Sequence, residues 1–413
     1  MKKSGIDHFR FLKTASATAL AASLVLSASV QGASAAVGVT VGVLVPLTGE
    51  LGQFGEIVAK GIDLAVGEIN AAGGTICGPI RTVVADTKGE PDHAIRVATK
   101  MIESDGAIAI LGPSSGEMVA LVDLAKRKKV LLGSSLAGTI TLNKLGGDYV
   151  YRTVSSDLGD GAAAGLWLTE RGYKKVAFLV QNEESTISTA QVAKDRAEKA
   201  GIAVSDYVVF NPGQPSYQAE LVSVLASNPD AIYLSGGQVS GTTVIKEALV
   251  GGFAGEWLFS ADLAVPDTFK FVGSERLNDR AYVELADSDP SLPEFKTFKA
   301  NFMAKNNVEP GPFASNSYDL MNLVALALDA AGGDCTGTGI NSNIRAVSSG
   351  GMAVSNYADA KAAIAAGKDV DFQGASGSLT FDASGTVSGA YSIQAAKNGA
   401  WQNTKFYPAS TFE

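Results

Sequence analysis

Val39–Gly74 reads VTVGVLVPLTGELGQFGEIVAKGIDLAVGEINAAGG, and one change of period inside it decides the fold. Val39–Val45 is a short β-branched run of strand length. Glu56–Ala71 then spaces Ile57, Val58, Ile62, Leu64, Ala65 and Ile69 at helical intervals. A strand that gives way to an amphipathic helix opens a βαβ unit. The pattern repeats downstream: Ile80–Ala85 reads as strand, His93–Ser104 as helix and Ile108–Leu111 as strand. Gly116–Arg127 follows as helix and Val130–Leu132 as strand. This β-α-β-α-β-α-β order predicts a parallel sheet covered on both faces by helices.

A second series starts beyond Arg152. Asp157–Arg171, Thr189–Ala200, Tyr217–Ser227 and Thr242–Val250 read as helices. Lys175–Val180, Val204–Phe210, Ala231–Leu234 and Trp257–Phe259 read as the strands between them. Two such blocks predict an α/β protein of two Rossmann-like lobes. The tail differs: helices over Pro293–Lys305 and Phe313–Ala331, Gly- and Ser-rich sequence, then strands over Ser378–Phe381 and Ala390–Ala396. The chain of 413 residues is too long for one compact core. No low-complexity linker separates the blocks, which points to several crossovers between lobes.

Open α/β sheets bind ligands beyond the C-terminal ends of their strands. The segments there are Pro46-Leu47-Thr48-Gly49 with Gly52-Gln53-Phe54-Gly55, then Gly112-Pro113-Ser114-Ser115-Gly116, then Gly133–Thr139. All are rich in glycine and hydroxyls and open onto a helix or turn. Free amide N–H groups and hydroxyls at such a place hold a carboxylate without a basic residue.

Met1–Lys13 is basic, Thr14–Val30 is uncharged and rich in Ala, Leu and Ser, and Ala33-Ser34-Ala35 is a pattern that a signal peptidase cuts. Export as a soluble chain that begins near Ala36 is the expectation, with the periplasm as its compartment. Lys and Arg number 33 against 42 Asp and Glu, a net charge of −9, and removal of the basic leader makes the remainder more acidic. Nucleic acid and anionic bilayers, which demand a cationic face, are excluded as partners. Cys77 and Cys335 are the two cysteines. Their spacing is no metal or redox motif, so they either close one disulfide in an oxidising compartment or are two separate buried thiols. No motif for a metal, phosphate group or cofactor is present.

Gly112–Gly116 also fits Gly-x-Ser-x-Gly, the nucleophile elbow of α/β-hydrolases. That mechanism needs a histidine downstream of the serine. Beyond the leader the chain has only His93, upstream of it, so catalysis is not expected.

The loops lie in a longer pattern. GVLVPLTGELGQFG with the helix ending in INAAGG, Asp86, the Gly112–Gly116 loop and Tyr151-Arg152-Thr153 come first. Asn228-Pro229-Asp230-Ala231, Ser317-Tyr318-Asp319 and GASGSLTFDASGTVSG over Gly374–Gly389 follow. In this order and spacing the chain resembles the type I periplasmic binding proteins, especially the leucine/isoleucine/valine-binding branch. The resemblance implies two lobes joined by three crossover hinges that close on a ligand. The hinges would fall near Ser156–Asp157, Ala261–Asp262 and Ser388–Gly389. Lobe one would hold residues 36–156 and 263–388, lobe two 157–262 and 389–413, with Cys77 and Cys335 both in lobe one. It also implies that Ser115 and Thr139 hold a ligand carboxylate beside the backbone of Ser114 and Ala137, and that Phe54 packs the ligand's side chain.

The pattern departs from the family where an amino acid's ammonium would sit. Close relatives place a Glu where this chain has Ser240, and a Tyr-Gly pair where it has Glu183-Glu184-Ser185. A buried ammonium needs an anionic partner. Asp262, in Phe259-Ser260-Ala261-Asp262, is the first substitute, and Glu183 or Glu184 the second; the alternative is a ligand without an ammonium. The resemblance implies a monomeric solute-binding protein that delivers an amino acid or another small carboxylate to an ABC transporter permease in the inner membrane. A ligand-loaded partner of a membrane receptor is the rival.

Overall fold

The computed structural model describes residues 38–412; the expected signal peptide over residues 1–35 lies outside them. Five strands build the first sheet: β1 (Val39–Val45), β2 (Ile80–Asp86), β3 (Ala107–Leu111), β4 (Leu131–Ser134) and β5 (Val150–Arg152). Their order is β2-β1-β3-β4-β5, every pair parallel. All residues of β1 are buried, whereas β2 at the edge alternates towards solvent. The β-branched run of Val39–Val45 is therefore an interior strand, between β2 and β3. Two apolar clusters cover the faces, one around Val41, Val43, Ile62 and Leu323, the other around Leu44, Met118 and Leu132.

The second sheet has seven strands. These include β6 (Lys175–Gln181), β7 (Ala203–Phe210), β8 (Ala231–Ser235), β9 (Glu256–Phe259) and β10 (Ala281–Asp287). A small parallel pair, β11 (Met352–Val354) with β12 (Val370–Phe372), lies apart. The antiparallel hairpin β13 (Ala390–Lys397) and β14 (Ala400–Tyr407) completes the second sheet beside β10. Its order is β14-β13-β10-β9-β8-β6-β7. The parallel part, β7-β6-β8-β9-β10, repeats the winding of the first sheet. In each sheet the order reverses next to its first strand, which opens a crevice at the strands' C-terminal ends.

The helix Ala314–Ala330 is buried on nearly every side and runs through the first lobe against the helix Gly52–Ala71. A Cβ on Gly61 would stand 2.1 Å from Ser317 Oγ and 2.5 Å from the Ala314 carbonyl, so only glycine allows this approach. Cys77 and Cys335 form a disulfide, Cα–Cα 5.7 Å, that ties the end of one helix to the end of the other.

Most expected elements occur within a few residues of their expected bounds, and Asp157–Arg171 occurs as read. Ser378–Phe381 is a correction, since it joins no ladder. Side chains anchor it instead: Arg345 donates to the Phe381 carbonyl at 3.1 Å, and the Phe381 ring meets Tyr151 edge-on at 5.1 Å. The crossing at Ala261–Asp262 is a second correction. From Leu263 the chain stays in the second lobe through the helix Pro266–Val272 and β10, which pairs with β9 and β13. It passes to the first lobe between Asp287 and Pro293, where Phe298 and Phe302 join that lobe's core. Glu284 interrupts the apolar run of β10, so the strand signal there is weak.

Candidate functional site

The third-strand loop begins at Gly112, whose φ of +103° favours glycine and whose Cβ would stand 2.5 Å from Val45 Cγ1. The loop feeds a 14-residue helix, Ser115–Lys128, with Ser114 at its N-cap. Glu117, buried in the first turn, accepts the Ser114 N–H at 2.8 Å in a capping box. Burial pushes the Glu117 carboxyl up. Ser115 Oγ accepts the Thr139 N–H at 3.4 Å, which leaves its own proton free to donate. Ser134 Oγ joins the two loops, donating to the Pro113 carbonyl at 2.7 Å and accepting from Leu136 and Ala137 N–H, each at 3.0 Å.

Behind the fourth-strand loop lies Arg152, 1% exposed. It donates to the carbonyls of Ala137 (3.3 Å) and Thr139 (3.0 Å), to Asn143 Oδ1 and to Thr386 Oγ1. Burial lowers its pKa to about 10. Arg152 thus shapes the loop, and its hydrogen bonds go to neutral acceptors.

A cavity of about 50 Å³ closes between the lobes. Ser114, Ser115, Leu51, Leu136 and Phe313 line it from lobe one. Asp157, Asp160, Asp262 and Glu284 line it from lobe two, with Ser185, Thr189 and Ser260 beside them. One wall is therefore a helix N-terminus with hydroxyls, the other a group of carboxyls. Burial is the main cause that raises Asp157 to about 7 and Asp262 to about 6. Arg152 and a hydrogen bond from Ser188 oppose the rise at Asp157; Ser260, donating to Asp262 Oδ2 at 3.1 Å, opposes it at Asp262. Asp160 and Glu284 are pushed well above the ordinary range by burial first, then by the charges of Asp157 and Asp262 at Asp160 and of Asp160 at Glu284, while a hydrogen bond with Glu284 opposes the rise at Asp160. Burial likewise raises Glu183, near the cavity, to about 7.

Two latches hold the lobes together. Glu184, at the start of the lobe-two helix Glu184–Lys199, accepts from Thr139 Oγ1 (2.8 Å) and Thr141 Oγ1 (2.5 Å) of lobe one. Ser188 Oγ accepts the Ile140 N–H at 3.0 Å beside them. On the other side, Glu50 of lobe one accepts the N–H groups of Val239 (2.8 Å) and Ser240 (3.1 Å) and the Ser240 hydroxyl (2.5 Å). Those groups open the helix Gln238–Val250, so a carboxylate sits at a positive helix end.

Of the expected residues, the fold brings Ser114, Ser115 and Asp262 to the cavity wall. Phe54, Ala137, Thr139 and Glu184 stand elsewhere. Phe54 is 1% exposed and packs behind Phe313, ring centroids 5.8 Å apart, so Phe313 is the aromatic that faces the cavity. Ala137 is enclosed by Ser134 and Arg152. The side chains of Thr139 and Glu184 are spent on each other across the lobes. Ser240 stands outside the cavity lining, and its hydroxyl donates to Glu50 of the opposite lobe. Asp157, Asp160, Glu284 and Phe313 were missed. Acids in the first turn of a helix are common, so Asp157 and Asp160 carry no distinctive signal, and Glu284 lies on a strand with a weak one.

Two doubly wound lobes that enclose a polar cavity at their facing strand ends define a bilobal solute-binding protein. The sequence profile of the Periplasmic binding protein family matches residues 38–400, and the chain belongs to that family. It is 25% identical over 297 residues to a Leu/Ile/Val-binding protein of Rhizobium johnstonii, covering 71% of this chain and 80% of that one. The crystal structure of a leucine-binding protein from Thermotoga maritima superposes with a TM-score of 0.78 at 22% identity, covering 90% of this chain and 99% of the other. A solute-binding protein of an ABC transporter from R. palustris, in complex with benzoate, superposes with a TM-score of 0.74 at 21% identity, covering 90% and 97%.

Proposed function

We propose that this protein is the periplasmic, monomeric solute-binding component of an ABC importer and that it captures an amino acid between its lobes for an inner-membrane permease. The observation that carries the ligand class is the polarity of the cavity. Ser115 and the N-terminus of a 14-residue helix on one wall suit a carboxylate, and Asp157 and Asp262 on the other suit an ammonium. Leu136 and Phe313 leave an apolar edge for the ligand's carbon skeleton. The Leu/Ile/Val-binding relative supports the same class.

Capture works by closure. A carboxylate docks on lobe one, lobe two swings in, and contacts available only in the closed form shift the population. Micromolar affinity, about −8 kcal/mol, permits release to a permease.

The benzoate-binding structural neighbour makes a simple organic acid the second reading. The carboxyl wall argues against it, because an anion without an ammonium would leave those groups unpaired or protonated. The test is calorimetry and thermal shift on refolded protein lacking residues 1–35, against amino acids, benzoate and short aliphatic acids. A ligand at 100 times its Kd stabilises by about 2.7 kcal/mol. Amino acids are expected to give that shift; binding of benzoate or aliphatic acids alone overturns the amino-acid reading.

A further inference from the structure

The cavity wall carries more carboxyl groups than a monoamino acid can match. A zwitterion brings one carboxylate, for Ser115 and the helix N-terminus, and one ammonium, for Asp157 and Asp262 on the lobe-two wall. Asp160 and Glu284 remain. They are 9% and 1% exposed, and no Lys or Arg lines the cavity. Glu284 Oε1 receives the Tyr233 hydroxyl at 3.3 Å, while Glu284 Oε2 has no hydrogen-bond partner among the described residues. Asp157 Oδ2, on the same wall, also has none. Unpaired buried carboxylate oxygens are costly, and a central strand such as β10 would be stabler with an apolar residue at position 284. Among the described residues no three acidic, cysteine or histidine side chains are grouped to hold a metal ion. Asp160 and Glu284 hydrogen-bond to each other, and an organic cation would pair with the carboxyl oxygens that contact leaves open.

We propose that the ligand carries a second cationic group and that Glu284 with Asp160 receives it, so that the protein takes diamino acids in preference to their monoamino counterparts. This rests on the amino-acid reading above. Asp160 lies three residues beyond Asp157 on the helix Asp157–Arg171, and both it and Glu284 line the same wall as Asp262. The α-ammonium and the side-chain ammonium therefore meet separate carboxyls.

Calorimetry on refolded protein lacking residues 1–35, at pH 8, compares pairs that differ only by the terminal amine: lysine with norleucine, and ornithine with norvaline. The expected result is affinity at least tenfold higher for the diamino member of at least one pair. In Glu284→Gln that ratio should fall to threefold or less, with the melting temperature recorded to establish folding. Asp160→Asn is the second variant if Glu284→Gln does not fold. Equal or tighter binding of the monoamino members to the wild type overturns the proposal and leaves the amino-acid reading intact. Binding of benzoate alone overturns both. A ratio that persists in both folded variants removes Glu284 and Asp160 as the receiving groups, and an acid pair that merely shares a proton then accounts for them.

Discussion

Replacing Glu50 by alanine should loosen the closed form without touching the cavity wall. Its carboxylate accepts two helix-start N–H groups and one hydroxyl from the opposite lobe. Charge-assisted hydrogen bonds contribute about 1.5–3 kcal/mol each, and an anion at a helix N-terminus about 0.3–1 kcal/mol. Glu50 is only half-buried, and the opened lobes return all these groups to water, so the net loss is about 2–3 kcal/mol. That corresponds to about 30- to 150-fold in the closed-to-open ratio. When the ligand-free lobes are mostly apart, the whole factor enters the apparent Kd. Calorimetry with the best ligand from the amino-acid panel reads it, and small-angle scattering of the ligand-bound protein reports the same change as a larger radius of gyration. Ser240→Ala, which removes one of the three donors, should lose less. A Kd within twofold of wild type and an unchanged radius would refute the idea that this latch stabilises closure.

The Cys77–Cys335 bridge closes a loop of 258 residues, and its reduction should cost about 3–5 kcal/mol, seen as a lower urea midpoint in reductant. Stability of the ligand-free protein should fall as pH rises through 6 and 7. Asp262 at about 6 and Asp157 and Glu183 at about 7 all lie above their unfolded values, so the folded state binds more protons in that window. Asp157, raised from 3.8, contributes its full share below pH 4 and loses it as pH rises through 7. Asp157→Asn should flatten the dependence measured by urea midpoints between pH 5 and 8, and stability that climbs across this window would contradict the assignment.

The lobe-one half of the site was legible because its signals are local. Gly112, Ser114 and Ser115 follow a buried strand and open a helix, so their place at a strand end can be read from adjacent residues. Asp262, beyond β9, follows from the resemblance, as a substitute for the carboxylate that relatives carry at Ser240. Thr139 and Phe54 were placed in the right region but with the wrong neighbours, since the depth of a side chain depends on what packs over it. Phe313 covers Phe54, and Glu184 claims the Thr139 hydroxyl.

The sequence by itself determined the alternation of strand and helix, the presence of two doubly wound blocks and the glycine- and hydroxyl-rich character of the loops after β1, β3 and β4. Those follow from period, turn chemistry and helix-start residues within short windows. Only the tertiary structure decided that β10 joins the second sheet, that Glu284 meets Asp157, Asp160 and Asp262 at one cavity, and that Glu50 and Glu184 bridge the lobes. Strand order and lobe closure join residues far apart in the chain. Whether a carboxyl ends solvated, latched or buried without a partner is set by those contacts rather than by its neighbours in sequence.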